Sequence, residues 1–312
     1  MKKVIIIIFI IFSLSLIFIN KERNKEVSDI KEVINYLCSD EIKDREYKTD
    51  GNKKASEYIN NLYNEMNLEF VFENSYLNSF NCGGMNINNV VGKISGEDSK
   101  KAIIITAHFD AWCNGAVDNA SGVSSVIEIA KNLKEFSETN KLNQDVIFLM
   151  TNAELSGYKG SEDFVLKLSE LNYENVYNIN IDCIGIKDSI NSSGLGLKNL
   201  SRLEESKKLY SGIKEVLGEY EIDYVDDFST EKSKDAYEQG YGVSDYVPFE
   251  QNGYPNIHIA QKGIGEFILN ENDKPNLIDY RKIKNLSEAI SKYIEKRTAD
   301  LLSSTAAQYY NL

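Results

Sequence analysis

Histidine and proline are both scarce in this chain of 312 residues, with two of the former and three of the latter. The prolines all fall between residues 248 and 275, and no internal repeat or low-complexity linker is visible, so nothing divides the chain. The length could house two average domains, but large α/β folds fill it as one. Cations are also in deficit. Lys and Arg total 35 against 48 Asp and Glu, a net charge of −13, which argues against nucleic acid and anionic membrane surfaces as partners. The four cysteines allow three disulfide pairings. Cys113 and Cys183 read as small buried residues, which leaves Cys38 and Cys82 as a remaining pair. Hydrophobic residues make up 42% of the chain, enough for a sizeable core once the amino-terminal segment is set aside.

That segment has the pattern of an export signal. Met1-Lys2-Lys3 precedes an apolar or hydroxyl run from Val4 to Ile19, then Asn20 and the charged Lys21-Glu22-Arg23. The run is longer than a signal core and shorter than a full span, and no small-x-small pair ends it. An uncleaved anchor is therefore favoured over a cleaved signal. Residues 1–20 are the signal or membrane anchor, and residues 21–312 form a single domain outside the cytoplasm, anchored at the cell surface or secreted. Within that domain, Val27, Ile30, Val33 and Ile34 lie at helical spacing and predict the first of two helices over residues 26–67. Phe70–Tyr76 and Val90–Ile94 read as strands, about Leu203–Leu217 and about Lys282–Lys296 as amphipathic helices, and residues 299–312 as a loosely held tail.

The stretch from Ala102 to Gly122 carries the most chemistry. Ala102–Thr106 lacks polar alternation, so it reads as a strand buried on both faces in a parallel sheet. His108 and Asp110 follow at its carboxyl end, where open α/β sheets keep their ligand crevices. Asp118 then sits in a small-residue turn before a helix striped by Val123, Ile127 and Ala130. Asp145–Met150 is a second buried strand with Glu154 just beyond it, and Val176–Ile181 is a third, closed by Asp182. Three strand ends thus deliver His108, Asp118, Glu154 and Asp182 toward one edge. Buried carboxylates must be solvated, paired or metal-bound, and imidazole with carboxylates is a donor set for a divalent metal.

These segments resemble the zinc aminopeptidases, the family of bacterial leucyl aminopeptidase, aminopeptidase S and aminopeptidase Y, with glutaminyl cyclase as a relative. HFD at 108–110, GAVDNASG at 115–122, NAELSGYKGS at 152–161, NIDCIG at 180–185 and SDYVPF at 244–249 occur in family order and span roughly residues 85 to 290. The resemblance implies a three-layer α/β/α sandwich with a mixed, largely parallel sheet, and hydrolysis of amino-terminal residues from peptide substrates. Residue by residue, it implies that His108 and Asp182 hold one zinc and that Asp118 would normally bridge two. Asp110 would orient His108, Glu154 would be the general base, and a cis peptide would follow Asp118.

Two positions depart from the family pattern together. Where the family carries a second Glu for the other zinc this chain has Leu155, and where it carries a late His ligand the chain has Leu269 in Leu269-Asn270-Glu271-Asn272-Asp273. A Tyr expected before that His is Ile268. The reading is therefore a site for one zinc, held by His108, Asp118 and Asp182 with an open fourth position, while Leu155 and Leu269 fill the second site with apolar surface. His258, in the apolar strand Ile257–Ala260, reads as a core residue, although His258 or Glu271 could restore a second metal. Two other readings stay open: a non-catalytic surface binding protein on the same fold, and acyl transfer like that of glutaminyl cyclase.

Overall fold

The computed structural model describes residues 29–42, 44–198, 204–226 and 243–309, with only the backbone of 298–309. The signal or anchor expected over residues 1–20 lies outside the described residues. Among those described, no helix is long and apolar enough to cross a membrane.

Residues 29–37 form helix α1 and Asp50–Glu65 form α2. Strands β1 (Glu69–Phe70), β2 (Leu77–Cys82), β3 (Met85–Ile94) and β4 (Asp98–His108) follow. A kinked turn at Ala116–Ala120 leads into α3 (Ser121–Ser137) and β5 (Gln144–Thr151). Then come α4 (Lys159–Leu168), β6 (Asn175–Asp182), β7 (Leu195–Lys198), α5 (Glu204–Glu219) and β8 (Tyr224–Asp226). The chain closes with α6 (Tyr246–Gln251), β9 (Asn256–Gln261) and α7 (Tyr280–Tyr309).

Nine described strands make one sheet in the order β1-β3-β5-β4-β6-β9-β7-β8, with β2 also paired to β3. The centre β5-β4-β6-β9 is parallel, and β3 and β7 join it antiparallel. Ile103, Ile105, Phe148, Ile179 and Ile181 face α1, α3 and α7 on one side. Ala102, Ile104, Ile147 and Leu149 face Phe164, Val165 and Phe249 of α4 and α6 on the other. The sandwich is the expected α/β/α arrangement with its mixed sheet. The alternation of the pleat explains why the central strands read as unbroken apolar runs, since both faces are covered.

Three expectations need correction. The strand predicted at Phe70–Tyr76 is interrupted: Phe70 ends β1, and residues 71–76 make a bend with one bridge between Phe72 and Ser75. The last helix does not stop near Lys296, because residues 299–309 of the expected tail continue α7. Cys38 and Cys82 are not paired, and all four cysteines are free thiols.

Candidate active site

β5, β4 and β6 are neighbours in the sheet, so their carboxyl ends open side by side. His108 is the last residue of β4 and Asp182 the last of β6, while Thr151 ends β5 three residues before Glu154. Asp118 enters from the kinked turn, whose Asp118–Asn119 peptide is cis as the resemblance implies. His108 Nε2 lies 3.1 Å from Asp118 Oδ1 and 3.3 Å from Asp182 Oδ1. One donor atom from each of these residues lies within 4.8 Å of the others, and among the described residues this is the group of His, Cys, Asp or Glu that could hold a metal ion.

The donor chemistry fits a zinc. His108 Nδ1 lies 3.1 Å from the Asp110 backbone oxygen, and a proton donated there leaves Nε2 as a bare acceptor facing two carboxylate oxygens. Three converging acceptors need a cation between them. One nitrogen and two oxygens are a three-ligand set of the kind that leaves zinc an open fourth position. Without a metal, a proton on the imidazole meets the same demand: burial would lower the His108 pKa, but the Asp182 and Glu154 carboxylates hold it well above the ordinary value, and a metal bound at Nε2 would have to displace that proton. Burial opposes ionisation of Asp182 too, yet His108 keeps its carboxyl below the usual range.

Glu154 stands beside this group, 7% exposed, in a single 3-10 turn (Glu154–Ser156) bracketed by left-handed Ala153 and Gly157. Burial pushes its carboxyl well above the ordinary value; His108 opposes that shift and Asp245, Asp182 and Asp110 add to it. Asp110 is placed as expected next to His108, with its Oδ1 3.6 Å from Nδ1. Its carboxylate also accepts the backbone N–H of Glu154 at 3.1 Å and of Leu155 at 3.2 Å. Asp110 therefore fixes the turn that carries Glu154 at least as directly as it fixes the imidazole.

Four buried side chains that the motifs did not single out hold the crevice together. Asp273 accepts the N–H of Val117 at 2.6 Å and of Asp118 at 3.0 Å. Burial raises its carboxyl to about 6. Asp245, inside the SDYVPF segment, is fully buried and accepts the Thr151 hydroxyl; burial pushes it to about 6. Asn119 links the Asp118 turn to the end of β6. Arg45, fully buried, donates to the backbone oxygens of Phe109 at 2.8 Å, Asn114 at 2.9 Å, Gly115 at 3.0 Å and Leu37. Asp245 and Asp273 lay within quoted segments, whereas nothing local marks Arg45, whose partners in the loop are 64 to 70 residues away.

Leu155 is partly exposed and Leu269 is 47% exposed, so Leu269 does not seal the second site as expected. A left-handed backbone at Leu269 (φ 56°) accompanies that exposure. Neither His258 nor Glu271 joins the metal-binding group. His258 bonds Asn180 at 2.9 Å and stacks on Tyr246, as a core histidine would. Cys183 does reach the site, since its thiol donates to Asp182 Oδ1 at 3.0 Å.

Known proteins match this arrangement. The Legionella pneumophila LapA aminopeptidase has a similar fold, with a TM-score of 0.70 at 18% identity over 89% of this chain and 75% of that one. A zinc aminopeptidase from Bacillus subtilis superposes with a TM-score of 0.58 at 20% identity over 69% and 51%. The Fimbriiglobus ruber glutaminyl cyclase gives 0.68 at 16% identity over 86% and 94%. In sequence, a glutamate carboxypeptidase 2 homolog of Caenorhabditis elegans is 32% identical over 127 residues, 39% of this chain and 16% of that protein. The model of one family, Peptidase family M28, matches residues 89–294. That match takes in every strand end from which His108, Glu154 and Asp182 project, and the chain belongs to peptidase family M28.

Proposed function

We propose that this chain is a zinc-dependent aminopeptidase that works with a single zinc and Glu154 as general base. The observation that carries the reading is the convergence of His108, Asp118 and Asp182 beside the buried carboxyl of Glu154. Zinc bound there would polarise the scissile carbonyl and stabilise the charge that develops on its oxygen. Glu154 takes a proton from the attacking water and passes it to the leaving amine as the peptide bond breaks, work worth roughly a hundredfold or more. Asp110 keeps Glu154 in place through the two N–H bonds of its turn.

Charge supports an amino-terminal substrate. Asp110, Asp118, Glu154, Asp182, Asp245 and Asp273 are all at most 8% exposed. Even with Glu154 protonated, Arg45 and one divalent ion do not balance the other five buried carboxyls, so a free α-ammonium is welcome in the crevice and a terminal carboxylate is repelled. The apolar run from Val4 to Ile19 supports an exported location for this activity.

The test is zinc content by elemental mass spectrometry, followed by assays on peptides with free and acetylated amino termini. One zinc per chain, hydrolysis of the free peptides alone, and a loss of about a hundredfold or more in Glu154→Gln with zinc retained are expected. Cyclisation of Gln-peptides without hydrolysis would replace the reading with acyl transfer. Zinc-free protein after supplementation would replace it with a non-catalytic binding role.

A further inference from the structure

Asp182 is held in its chain position from both sides by one side chain. Asn119 is fully buried, and its Nδ2 donates to the backbone oxygen of Ile181 at 3.1 Å. Its Oδ1 accepts the N–H of Cys183 at 3.0 Å and of Gly122 at 2.9 Å. Ser121 Oγ lies 3.4 Å from the same Oδ1, and the partners agree on the orientation of the amide: the two N–H groups are donors and the Ile181 oxygen is an acceptor, so a flipped amide would face like with like. Ile181 and Cys183 are the residues on either side of Asp182, and Asn119 itself follows Asp118. The adjacent Ser121 adds a parallel link, with its Oγ accepting the N–H of Ile184 at 3.0 Å and donating to Val117 at 2.7 Å. There is no slack around the amide, because a Cβ on Gly122 would sit 2.4 Å from Asn119 Oδ1 and 2.5 Å from the Ile181 oxygen.

We propose that Asn119 is a positioning residue that sets the separation of Asp118 and Asp182, so that both carboxylates meet a metal at His108 without rearranging. This rests on the single-zinc reading above. Asp118 sits on a turn and Asp182 at a distant strand end, and backbone pairing alone does not couple them. The Asn119 amide does, with one end on each element. Loss of this link leaves three ligands present and their spacing undetermined, and partners of this kind are worth about 10- to 100-fold in metal affinity.

The experiment compares the full chain with Asn119→Leu, Asn119→Ala, Ser121→Ala and, as control, Asn178→Leu. Asn178 is fully buried on β6, the strand that ends in Asp182, and donates to the Ile104 backbone oxygen and the Thr106 hydroxyl. Its substitution removes comparable buried bonds without touching the Asp118 turn. Zinc affinity is read by competition with a chromophoric chelator, ligand geometry by the absorption spectrum of the cobalt-loaded protein, and folding by circular dichroism. The expected result is zinc binding weakened about 10- to 100-fold with an altered cobalt spectrum in both Asn119 variants. Ser121→Ala should be affected less and Asn178→Leu should bind as the unmodified chain does, even if it melts earlier. If both Asn119 variants fail to fold, the Ser121→Ala comparison decides. Unchanged affinity and spectrum in the Asn119 variants, or in Ser121→Ala where it decides, would overturn the proposal and leave the single-zinc reading standing. Equal weakening in Asn178→Leu would overturn it in favour of a general stability effect. An unmodified chain that binds no zinc would overturn both.

Discussion

Replacing Arg45 by Met tests whether the crevice is held from beneath by one buried cation. The guanidinium spans Leu37 at the end of α1 and the loop oxygens of Phe109, Asn114 and Gly115. Two effects oppose each other. Removing a buried charge relieves a desolvation cost of several kcal/mol, and Met fills much of the same volume. Against this, at least three buried carbonyls lose a charged donor, and each unsatisfied group costs about 1–3 kcal/mol. Water cannot easily replace the donor, because Arg45, Leu37 and Phe109 are all fully buried. The orphaned carbonyls therefore win, and the net loss is about 3–5 kcal/mol, as for other buried charges stripped of one partner. Urea unfolding of the chelator-treated protein measures it, with the midpoint moving and the slope unchanged. Arg45→Lys should lose less, since an ammonium keeps the charge but cannot fork to carbonyls on both sides. A loss below about 1 kcal/mol for Arg45→Met would refute the argument and mean that the loop supports itself.

Three further outcomes are expected. Gly122→Ala gains up to about 1 kcal/mol of helix propensity. It should still be destabilised by about 1–3 kcal/mol, because the new Cβ meets the fixed Ile181 oxygen at 2.5 Å; thermal unfolding decides the sign. Burial lowers His258 to about 4, so below pH 6.5 the unfolded chain takes up a proton that the folded chain refuses until about pH 4. Stability from this group is thus lost as pH falls from about 6.5 to about 4, by about 3 kcal/mol in all, and unfolding of His258→Gln across that range should lack this slope. Finally, Leu155→Glu with Leu269→His should raise zinc content from one to two per chain, and a ratio that stays at one would mean those positions no longer face the site.

The parts of the fold legible in sequence are those where burial is two-sided. Ala102–Thr106, Asp145–Met150 and Val176–Ile181 lack polar alternation because helices cover both faces of β4, β5 and β6. The short outer strands were not legible, since Leu195–Lys198 and Tyr224–Asp226 offer four and three residues of pattern. The β2–β3 hairpin did carry a signal in Gly83-Gly84, flanked by alternating buried Phe80, Cys82 and Ile87. Its asparagines masked that signal by reading as loop. The residues of the site divide in the same way. His108, Asp182 and Glu154 are legible because they sit at or just past strand ends, but Asp273 acts on Asp118 from 155 residues away, and no local pattern encodes such a bond.

On the proposed single-zinc reading, the same long-range bonds would let one metal site persist without the other. Leu155 takes part in the proposed site through its backbone, donating its N–H to Asp110, a bond that any residue with a backbone N–H can make. Asp273 lies four residues past Leu269 and holds Asp118 through its own carboxylate, so a change at 269 alters none of its partners. Asn119 and Ser121 tie the Asp118 turn to the end of β6 through bonds in which neither leucine takes part. On the proposed single-zinc reading, leucine at 155 and 269 would remove donor atoms without removing supports. Had Leu155 or Leu269 replaced a residue whose side chain braced the first site, the spacing of His108, Asp118 and Asp182 would have gone with it. The proposed site is the one that Asp110, Asn119 and Asp273 brace, through bonds that do not pass through either leucine side chain.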